Sequence, residues 1–209
     1  MRGIVSVTPI ISVICVTYKQ SGPLKVFVNS FLNQTAPNWK LLVYHDGPDA
    51  DFDSLMNGFC AHGETRIAFK STTARFNDFG HSLREMALAE VDGDYVLLTN
   101  GDNYYVPIFV AVMTESIRRF DPDVVMFDMI HSHNCPGGRP QLPYSFFRTE
   151  YRRKSIDMGS AIVRTNLAKQ AGFRDKSHDG DATYFEDVAK LRGPNLKIVK
   201  ANQVLFVHN

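Results

Sequence analysis

The chain has 209 residues, 44% of them hydrophobic and 22% charged, with a formal net charge of +1 at pH 7. This composition is ordinary for a globular domain, and the near-neutral charge argues against a dedicated nucleic-acid-binding protein, so we expect no nucleic-acid partner. The three cysteines share no CxxC spacing, which argues against a zinc ribbon or a disulfide framework and favours a cytoplasmic location.

Strand and helix signals alternate along the first half of the chain. Residues 9–18 are apolar nearly throughout and rich in β-branched side chains, as is typical of a strand covered on both faces of a parallel sheet. Further strands are predicted over 39–47, 65–71, 94–100 and 123–130. Helices are predicted over 22–34, 78–91 and 107–120. This order indicates an α/β domain with a largely parallel sheet.

Residues 131–154 interrupt this alternation. They hold two glycines, three prolines and five basic residues against one glutamate. A loop of this length is usually functional or mobile, and this one is either a solvated loop or a surface for an anionic acceptor or a membrane. After it we predict strands over 160–164, 196–201 and 203–209 and helices over 166–172 and 180–191.

Polar side chains follow three of the predicted strands where each strand ends. Thr17 and Tyr18 follow the first strand, Asp46 the second, and residues 100–103 the strand over 94–100. Each group alone is more typical of a turn. Ligands of open α/β sheets bind beyond the carboxyl ends of the strands, so three such groups together predict a ligand site.

Missing motifs narrow the kind of ligand. The sequence has no GxGxxG after the first strand, no GxxxxGK[ST] and no GxSxG, which argues against a dinucleotide cradle, a P-loop and a nucleophile elbow. Bound phosphates would then need a metal ion held by carboxylates. Mg²⁺ and Mn²⁺ typically use one or two carboxylates together with phosphate oxygens, a role that suits Asp102.

An ordered series of motifs resembles the family 2 glycosyltransferases, which have the GT-A fold. The series is ISVICVTYKQ, NQT, WKLLVYHDG and NGDN, and the later EDV and VLFVHN resemble the acceptor half of that family. The resemblance implies one GT-A domain over 1–209, a Rossmann-like three-layer sandwich with a mixed, mostly parallel central sheet. Residues 9–107, approximately, would bind a nucleotide sugar, and residues 108–209 the acceptor.

The resemblance also implies roles on the donor side, where a nucleotide sugar, most often a UDP-sugar, lies across the strand ends. The backbone at Val16 and Thr17 and the ring of Tyr18 would hold the base, and Asp46 would accept a hydrogen bond from it. Arg84 would lie near the diphosphate, which suits a guanidinium. The alternative for Arg84 is a solvated helix residue.

The family's D-x-D motif is Asn100-Gly101-Asp102 here, so an amide replaces the first carboxylate. By resemblance Asp102 would bind Mn²⁺ or Mg²⁺, His208 would complete the metal shell, and Asn100 and Gly101 would lie against the donor. The loss of one negative charge should weaken metal binding. The alternative for His208 is an ordinary histidine at a strand end.

Inverting transfer to a hydroxyl needs a carboxylate base. Asp181 and Asp187 match two versions of the family's motif, and both stay open, although Asp181 begins the predicted helix beside the cleft and is favoured. Asp157 would face the sugar or the acceptor, or only cap the turn before Gly159. The acceptor would be a glycan, a lipid-linked molecule or another hydroxyl compound.

Two other classes of protein fit parts of this pattern. A non-catalytic GT-A-like module that binds nucleotide sugars would explain Asn100 as an early sign of decay. A nucleotidyltransferase would carry a glycine-rich basic loop after the first strand, where this chain has only KQSGP. No run approaches the ~18 apolar residues of a transmembrane helix, and peripheral membrane contact stays open.

Overall fold

The structure is a computed structural model that describes residues 8–209 of the chain. In that range nine strands form one sheet and six α-helices pack on it. The strands are β1 Ile11–Thr17, β2 Trp39–His45, β3 Ile67–Ser71, β4 Tyr95–Asn100, β5 Tyr104–Tyr105, β6 Val124–His131, β7 Ser145–Phe147, β8 Ala161–Arg164 and β9 Ile198–His208. The helices are α1 Ser21–Leu32, α2 Ala50–Cys60, α3 His81–Glu90, α4 Phe109–Phe120, α5 Thr165–Ala171 and α6 Gly180–Arg192. None of these helices is long and apolar enough to cross a membrane.

The order of the strands places a crevice at the carboxyl ends of β1 and β4. The sheet runs β3-β2-β1-β4-β8-β6-β9-β5, with β7 beside β6. Strands β1 to β4 are mutually parallel, whereas β8 lies antiparallel between β4 and β6. The chain leaves β1 toward β2 on one side and returns to β4 on the other, and such a reversal is where open α/β sheets bind ligands.

Two apolar cores cover the two faces of the sheet. Successive side chains of a strand point to opposite faces, so Val13 and Cys15 of β1 pack with α1, α2 and α4. Ile14 and Val16 pack on the other face with α3, α5 and α6. The predicted three-layer α/β arrangement with a mixed sheet is therefore confirmed.

The spacing of apolar residues explains why α1 forms and where it packs. Leu24, Phe27, Val28 and Phe31 recur at helical spacing and are almost completely buried. The Phe31 ring lies 5.3 Å from that of Tyr105, which is on β5. Complete burial of one such side chain stabilises a fold by about 1.5–3 kcal/mol, so this face of α1 holds β5 and the turn before it against the sheet.

Helix α2 lies in a stretch for which no element was predicted. The Asp49 side chain caps it by accepting a hydrogen bond from the backbone N–H of Phe52 at 2.8 Å. Only Phe52 and Met56 of this helix are buried, so its apolar face is narrow. The sequence signal that could have predicted α2 is the capping Asp49 followed by apolar residues three and seven positions later, Phe52 and Met56.

The two predicted strands near the carboxyl end form one long strand, β9, which pairs in parallel with β6. The register shifts around Asp128, and the resulting bulge lets a single strand change direction. Beyond it β9 pairs with β5. This path carries His208 and Asn209 to the turn that follows β4.

Candidate functional site

A cavity of about 320 Å³ opens at the carboxyl ends of β1 and β2. Its walls include Val16, Thr17, Tyr18 and Asp46, the four residues that the sequence predicted for the base. The remaining wall comes from the loop before α3 and from Leu83. The structure thus brings these four residues around one space, and their binding role stays a prediction.

Asp46 holds the loop that forms one wall of this cavity. One carboxylate oxygen accepts a hydrogen bond from the backbone N–H of Phe76 at 2.7 Å, and the other accepts one from Asn77 at 3.0 Å. Sequence reasoning missed this anchoring role, because the partners lie 30 and 31 residues away. Each carboxylate oxygen has a second lone pair, which remains for an N–H of a bound base.

Arg75 is a further residue of the cavity that the sequence did not indicate. Its guanidinium carbon lies 3.7 Å from the centroid of the Tyr18 ring, and its Nε lies 3.9 Å from an Asp46 oxygen. A guanidinium stacks readily on an aromatic face. Arg75 therefore covers the ring face on which a base would stack, and a ligand must either displace it or pack beside it.

The loop before α3 has an unusual backbone. Asn77 and Phe79 have φ of 54° and 59°, and such left-handed conformations of non-glycine residues cost of order 1–3 kcal/mol each. Gly80 has φ of 80°, and a Cβ there would lie 2.6 Å from Cγ2 of Val16. Only glycine fits so close to β1. The strained loop leaves the Phe79 ring exposed and turns its carbonyl toward Arg84.

Arg84 is not the solvated helix residue of the alternative interpretation, because only 2% of its surface is exposed. Its guanidinium donates to the Phe79 carbonyl at 2.8 Å and to Oδ1 of Asn100. It forms no ion pair with a carboxylate within residues 8–209. Burial lowers its pKa, and the nearby Asp181 opposes that effect. A buried cation without an anionic partner is suited to binding a negatively charged ligand.

The turn after β4 presents Asp102 at the same edge of the sheet. The Gly101 N–H donates to the Val16 carbonyl at 3.0 Å, and a Cβ on Gly101 would lie 3.0 Å from the Thr17 side chain. Oδ1 of Asp102 is buried and has no hydrogen-bond partner in the described part of the chain. Burial raises the pKa of this carboxyl, while its own backbone N–H and His208 act in the opposite direction.

His208 lies between Asp157 and the turn that carries Asp102. Its Nε2 is 3.4 Å from an Asp157 oxygen, and its Nδ1 is buried without a partner among the described residues. The side chain of the following Asn209 donates to the Asp102 carbonyl at 2.9 Å. Asp157 also accepts from the Gly159 N–H at 2.8 Å, so it caps the turn as one alternative proposed.

The donors near Asp102 fit a metal ion that takes most of its ligands from a substrate. No three His, Cys, Asp or Glu side chains of residues 8–209 form a group that could hold a metal by themselves. The unpartnered Asp102 Oδ1 can supply one carboxylate ligand, and the unpartnered His208 Nδ1 one nitrogen. Mg²⁺ and Mn²⁺ sites with one carboxylate plus substrate phosphates follow this pattern.

Asp181 and Asp187 lie in different surroundings on α6. Asp181, in the first turn, makes no side-chain hydrogen bond or ion pair in the portion that the structure describes. Burial raises its pKa to about 6, against the opposing effect of Arg84. Asp187 is paired with Arg174 at 2.5 Å and with Lys190 at 2.9 Å, and the hydrogen bond from Arg174 lowers its pKa. The structure therefore brings Asp181, and not Asp187, to the group that contains Arg84.

The sequence of the chain matches the model of Glycosyl transferase family 2 over residues 12–179. The chain belongs to glycosyl transferase family 2. The matched range contains every predicted donor residue together with Asp102 and Asp157, and it ends before Asp181, Asp187 and His208. A comparison with curated protein sequences finds no match.

Solved glycosyltransferase structures share the fold of this family 2 chain. S. aureus TarS 1–349 superposes with a TM-score of 0.77 at 16% identity, over 96% of this chain and 60% of that one. The structure of TarS 1–349 in complex with UDP-GlcNAc superposes with a TM-score of 0.74 at 16% identity, over 95% of this chain and 58% of that one. The structure of mannosyltransferase PcManGT from Pyrobaculum calidifontis in complex with GDP-Man and Mn²⁺ superposes with a TM-score of 0.70 at 14% identity. It covers 97% of this chain and 57% of that one. The chain thus spans 60% or less of the length of these proteins, and the predicted GT-A fold is confirmed.

Proposed function

We propose that this chain transfers a sugar, with inversion, from a UDP-sugar to a hydroxyl acceptor, and that Asp181 is the general base. One observation carries the proposal: an unpaired, partly buried carboxylate lies beside a buried arginine that has no anionic partner among the described residues. A base of pKa near 6 is mostly ionised at neutral pH and still basic enough to take a proton in the transition state. Family membership and the fold support sugar transfer in general.

The donor lies in this proposal across the carboxyl ends of β1, β2 and β4. The base occupies the cavity lined by Tyr18 and Asp46, and the diphosphate lies toward Arg84 and the turn over 100–102. The UDP preference is supported by Asp46, whose remaining lone pairs can accept from a uracil N–H. The relative TarS has structures with UDP and with UDP-GlcNAc.

A divalent cation, Mn²⁺ or Mg²⁺, would be held by Asp102 and His208. When bound, it would neutralise charge on the diphosphate and so help that group to leave. PcManGT has a structure with GDP-Man and Mn²⁺, which supports a metal in this fold and keeps a guanine nucleotide as the second donor to test. Asn100 adds no negative charge here, because its side-chain amide is neutral. Its amide oxygen accepts a hydrogen bond from Arg84.

The residues of the chain perform the following chemistry in this proposal. Asp181 takes the proton of the acceptor hydroxyl while the hydroxyl oxygen attacks the anomeric carbon from the face opposite the diphosphate. The bond from the anomeric carbon to the diphosphate oxygen breaks, and its electron pair leaves with the nucleotide. Arg84 stabilises the negative charge that grows on the diphosphate. Asp157 faces the acceptor and keeps His208 oriented.

The acceptor is proposed to be a glycan, a lipid-linked molecule or another hydroxyl compound. Cys15, Cys60 and Cys135 are free thiols, which supports the cytoplasmic location proposed from the sequence. Peripheral contact with a membrane would use the exposed side chains of Leu142, Tyr144 and Phe146 near the basic residues of the 139–154 stretch.

The test is calorimetric titration of UDP and GDP, each with and without Mn²⁺, into the unaltered protein and Asp102→Ala. We expect UDP to bind more tightly than GDP, Mn²⁺ to strengthen that binding, and Asp102→Ala to abolish the effect of the metal. A screen of UDP-sugars for UDP release follows. Binding without any turnover would favour the non-catalytic module, and a folded protein that binds neither nucleotide would refute the proposal.

A further inference from the structure

His81 is a buried histidine whose two ring nitrogens are both used. It is the first residue of α3, and only 1% of its surface is exposed. Its Nε2 lies 3.0 Å from the carbonyl of Ser177, so this nitrogen carries the proton and donates. Its Nδ1 is then unprotonated and accepts from an Nη1 N–H of Arg84 at 3.2 Å.

The neutral form of the ring is the only one that makes both hydrogen bonds. A protonated imidazole has two N–H donors, so its Nδ1 would face the Arg84 guanidinium donor to donor. Burial, and then the charge of Arg84, lower the pKa of His81 to about 4. The ring also stacks on Phe173, with centroids 5.4 Å apart. The imidazole is therefore fixed in position, tautomer and charge.

The turn on the other side of the imidazole is fitted closely to it. A Cβ on Gly180 would lie 2.6 Å from Nε2 of His81 and 2.6 Å from the Asp175 carbonyl, so only glycine allows this approach. The Asp175 carboxylate accepts from the Ser177 N–H at 2.9 Å and from the Thr183 hydroxyl at 2.7 Å. The turn is thus rigid, and Asp181 follows Gly180 directly.

One imidazole consequently connects the two charged groups that the proposed function requires. On one side it accepts from Arg84, which also binds Phe79 and Asn100. On the other side it donates to the Ser177 carbonyl, in the turn that leads directly into α6 and its second residue, Asp181.

We propose that His81 is a positioning residue that sets the separation between the Arg84 guanidinium on the donor side and the Asp181 carboxylate on the acceptor side. The inference rests on the proposed function. Because a misplacement of 1 Å costs about 10²-fold in rate, a link of this kind affects the chemical step more than it affects stability.

Two substitutions of His81 each keep one of its two hydrogen bonds and remove the other. In His81→Asn the amide oxygen lies near the place of Nδ1 and accepts from Arg84, but the short side chain does not reach Ser177. In His81→Gln the amide nitrogen lies near the place of Nε2 and donates to Ser177, but no acceptor remains for Arg84. The control is His178→Asn, which changes an exposed histidine of the same turn, with 86% of its side chain accessible.

The experiment measures, for each variant, melting temperature, UDP affinity with Mn²⁺ by calorimetry, and the kcat of UDP release from the donor that the unaltered protein uses. We expect His81→Asn to keep UDP affinity within about threefold and to lose about 10²-fold in kcat, since only the Asp181 side is released. We expect His81→Gln to weaken UDP binding about tenfold, since a charged hydrogen-bond donor loses its support. The control should match the unaltered protein.

The possible failures are distinguishable. If both variants lose melting temperature equally and keep affinity and kcat below the transition, His81 has only a packing role and the positioning proposal is wrong. If affinity and kcat fall together in both variants, the two bonds do not act on separate sides, and the proposal is equally overturned. If the unaltered protein neither binds nor turns over a sugar nucleotide, the proposed function fails first and the positioning role fails with it.

Discussion

The donor edge and the acceptor edge of the site use aspartates in opposite ways. At Asp46 both carboxylate oxygens accept backbone N–H groups of the neighbouring loop. At Asp181 no hydrogen-bond donor of residues 8–209 reaches the carboxylate, and burial raises its pKa. The same residue type therefore anchors structure where backbone N–H groups bind both of its oxygens and is available for proton transfer where none does.

The largest effect should come from removing the available carboxylate. Asp181→Asn keeps the shape of the side chain but cannot take a proton, so we expect kcat to fall about 10³-fold with UDP affinity nearly unchanged. Asp187→Asn is the matched control on the same helix, and it should change kcat by less than about threefold. Steady-state kinetics with calorimetry measures both. Equal losses in the two variants would show that the base has been misplaced.

Removing the anchoring carboxylate should change stability. In Asp46→Asn one oxygen becomes an NH₂ group that faces a backbone N–H, so we expect a loss of about 2 kcal/mol in the free energy of unfolding, or roughly 4–8 °C in melting temperature. Calorimetric melting measures this, with Asp51→Asn, an exposed aspartate of α2, as the control. A variant as stable as the control would mean that the loop does not depend on Asp46.

Arg84 connects the two edges, and its planar guanidinium should not be replaceable by an ammonium. Arg84→Lys keeps the charge but cannot reach Phe79, His81 and Asn100 together, so we expect UDP to bind about tenfold more weakly. Arg119→Lys, on an exposed position of α4, is the control. Unchanged UDP affinity in Arg84→Lys would remove the guanidinium from the diphosphate site.

The smallest expected effect is the loss in free energy of unfolding that results from the raised pKa of Asp181. Its pKa of about 6 lies above the usual ~3.9 of aspartate, so the folded state binds a proton more tightly than the unfolded chain. Stability is therefore lost as the pH rises from about 4 to 6, and the loss persists above that range. Asp181→Asn should melt slightly higher than the unaltered protein at pH 7.5, and the difference should vanish near pH 4.

The pH dependence of the reaction provides a check on the same pKa. Activity should fall below about pH 6 in the unaltered protein, because protonated Asp181 cannot act as a base. The residual activity of Asp181→Asn should lack this limb. If the limb persists in the variant, another group is responsible for it.

Much of the donor edge could be predicted because its signals are local. Val16, Thr17 and Tyr18 end one apolar strand and Asp46 ends the next, and parallel pairing of β1 with β2 necessarily places them side by side. The place of Asn100 followed in the same way. Arg75 had no comparable signal, since its position over Tyr18 depends on the path of a loop.

The acceptor edge was harder to predict because it depends on contacts between distant residues. Asp181 and Asp187 each match one version of the motif, and only the positions of Arg174 and Lys190 show that Asp187 is held in ion pairs. The sequence placed His81 only within the helix predicted over 78–91. Its contact with Ser177 joins residues 96 positions apart.

The sequence by itself determined the family, the α/β layering and the residues at the strand ends, because apolar periodicity and strand pairing are encoded over short distances. Only the tertiary structure decided which polar groups are left without partners. Among residues 8–209, the fold leaves Oδ1 of Asp102 and the Asp181 carboxylate without a hydrogen-bond donor, and it gives the Arg84 guanidinium neutral acceptors but no carboxylate. The proposed chemistry depends on these three groups.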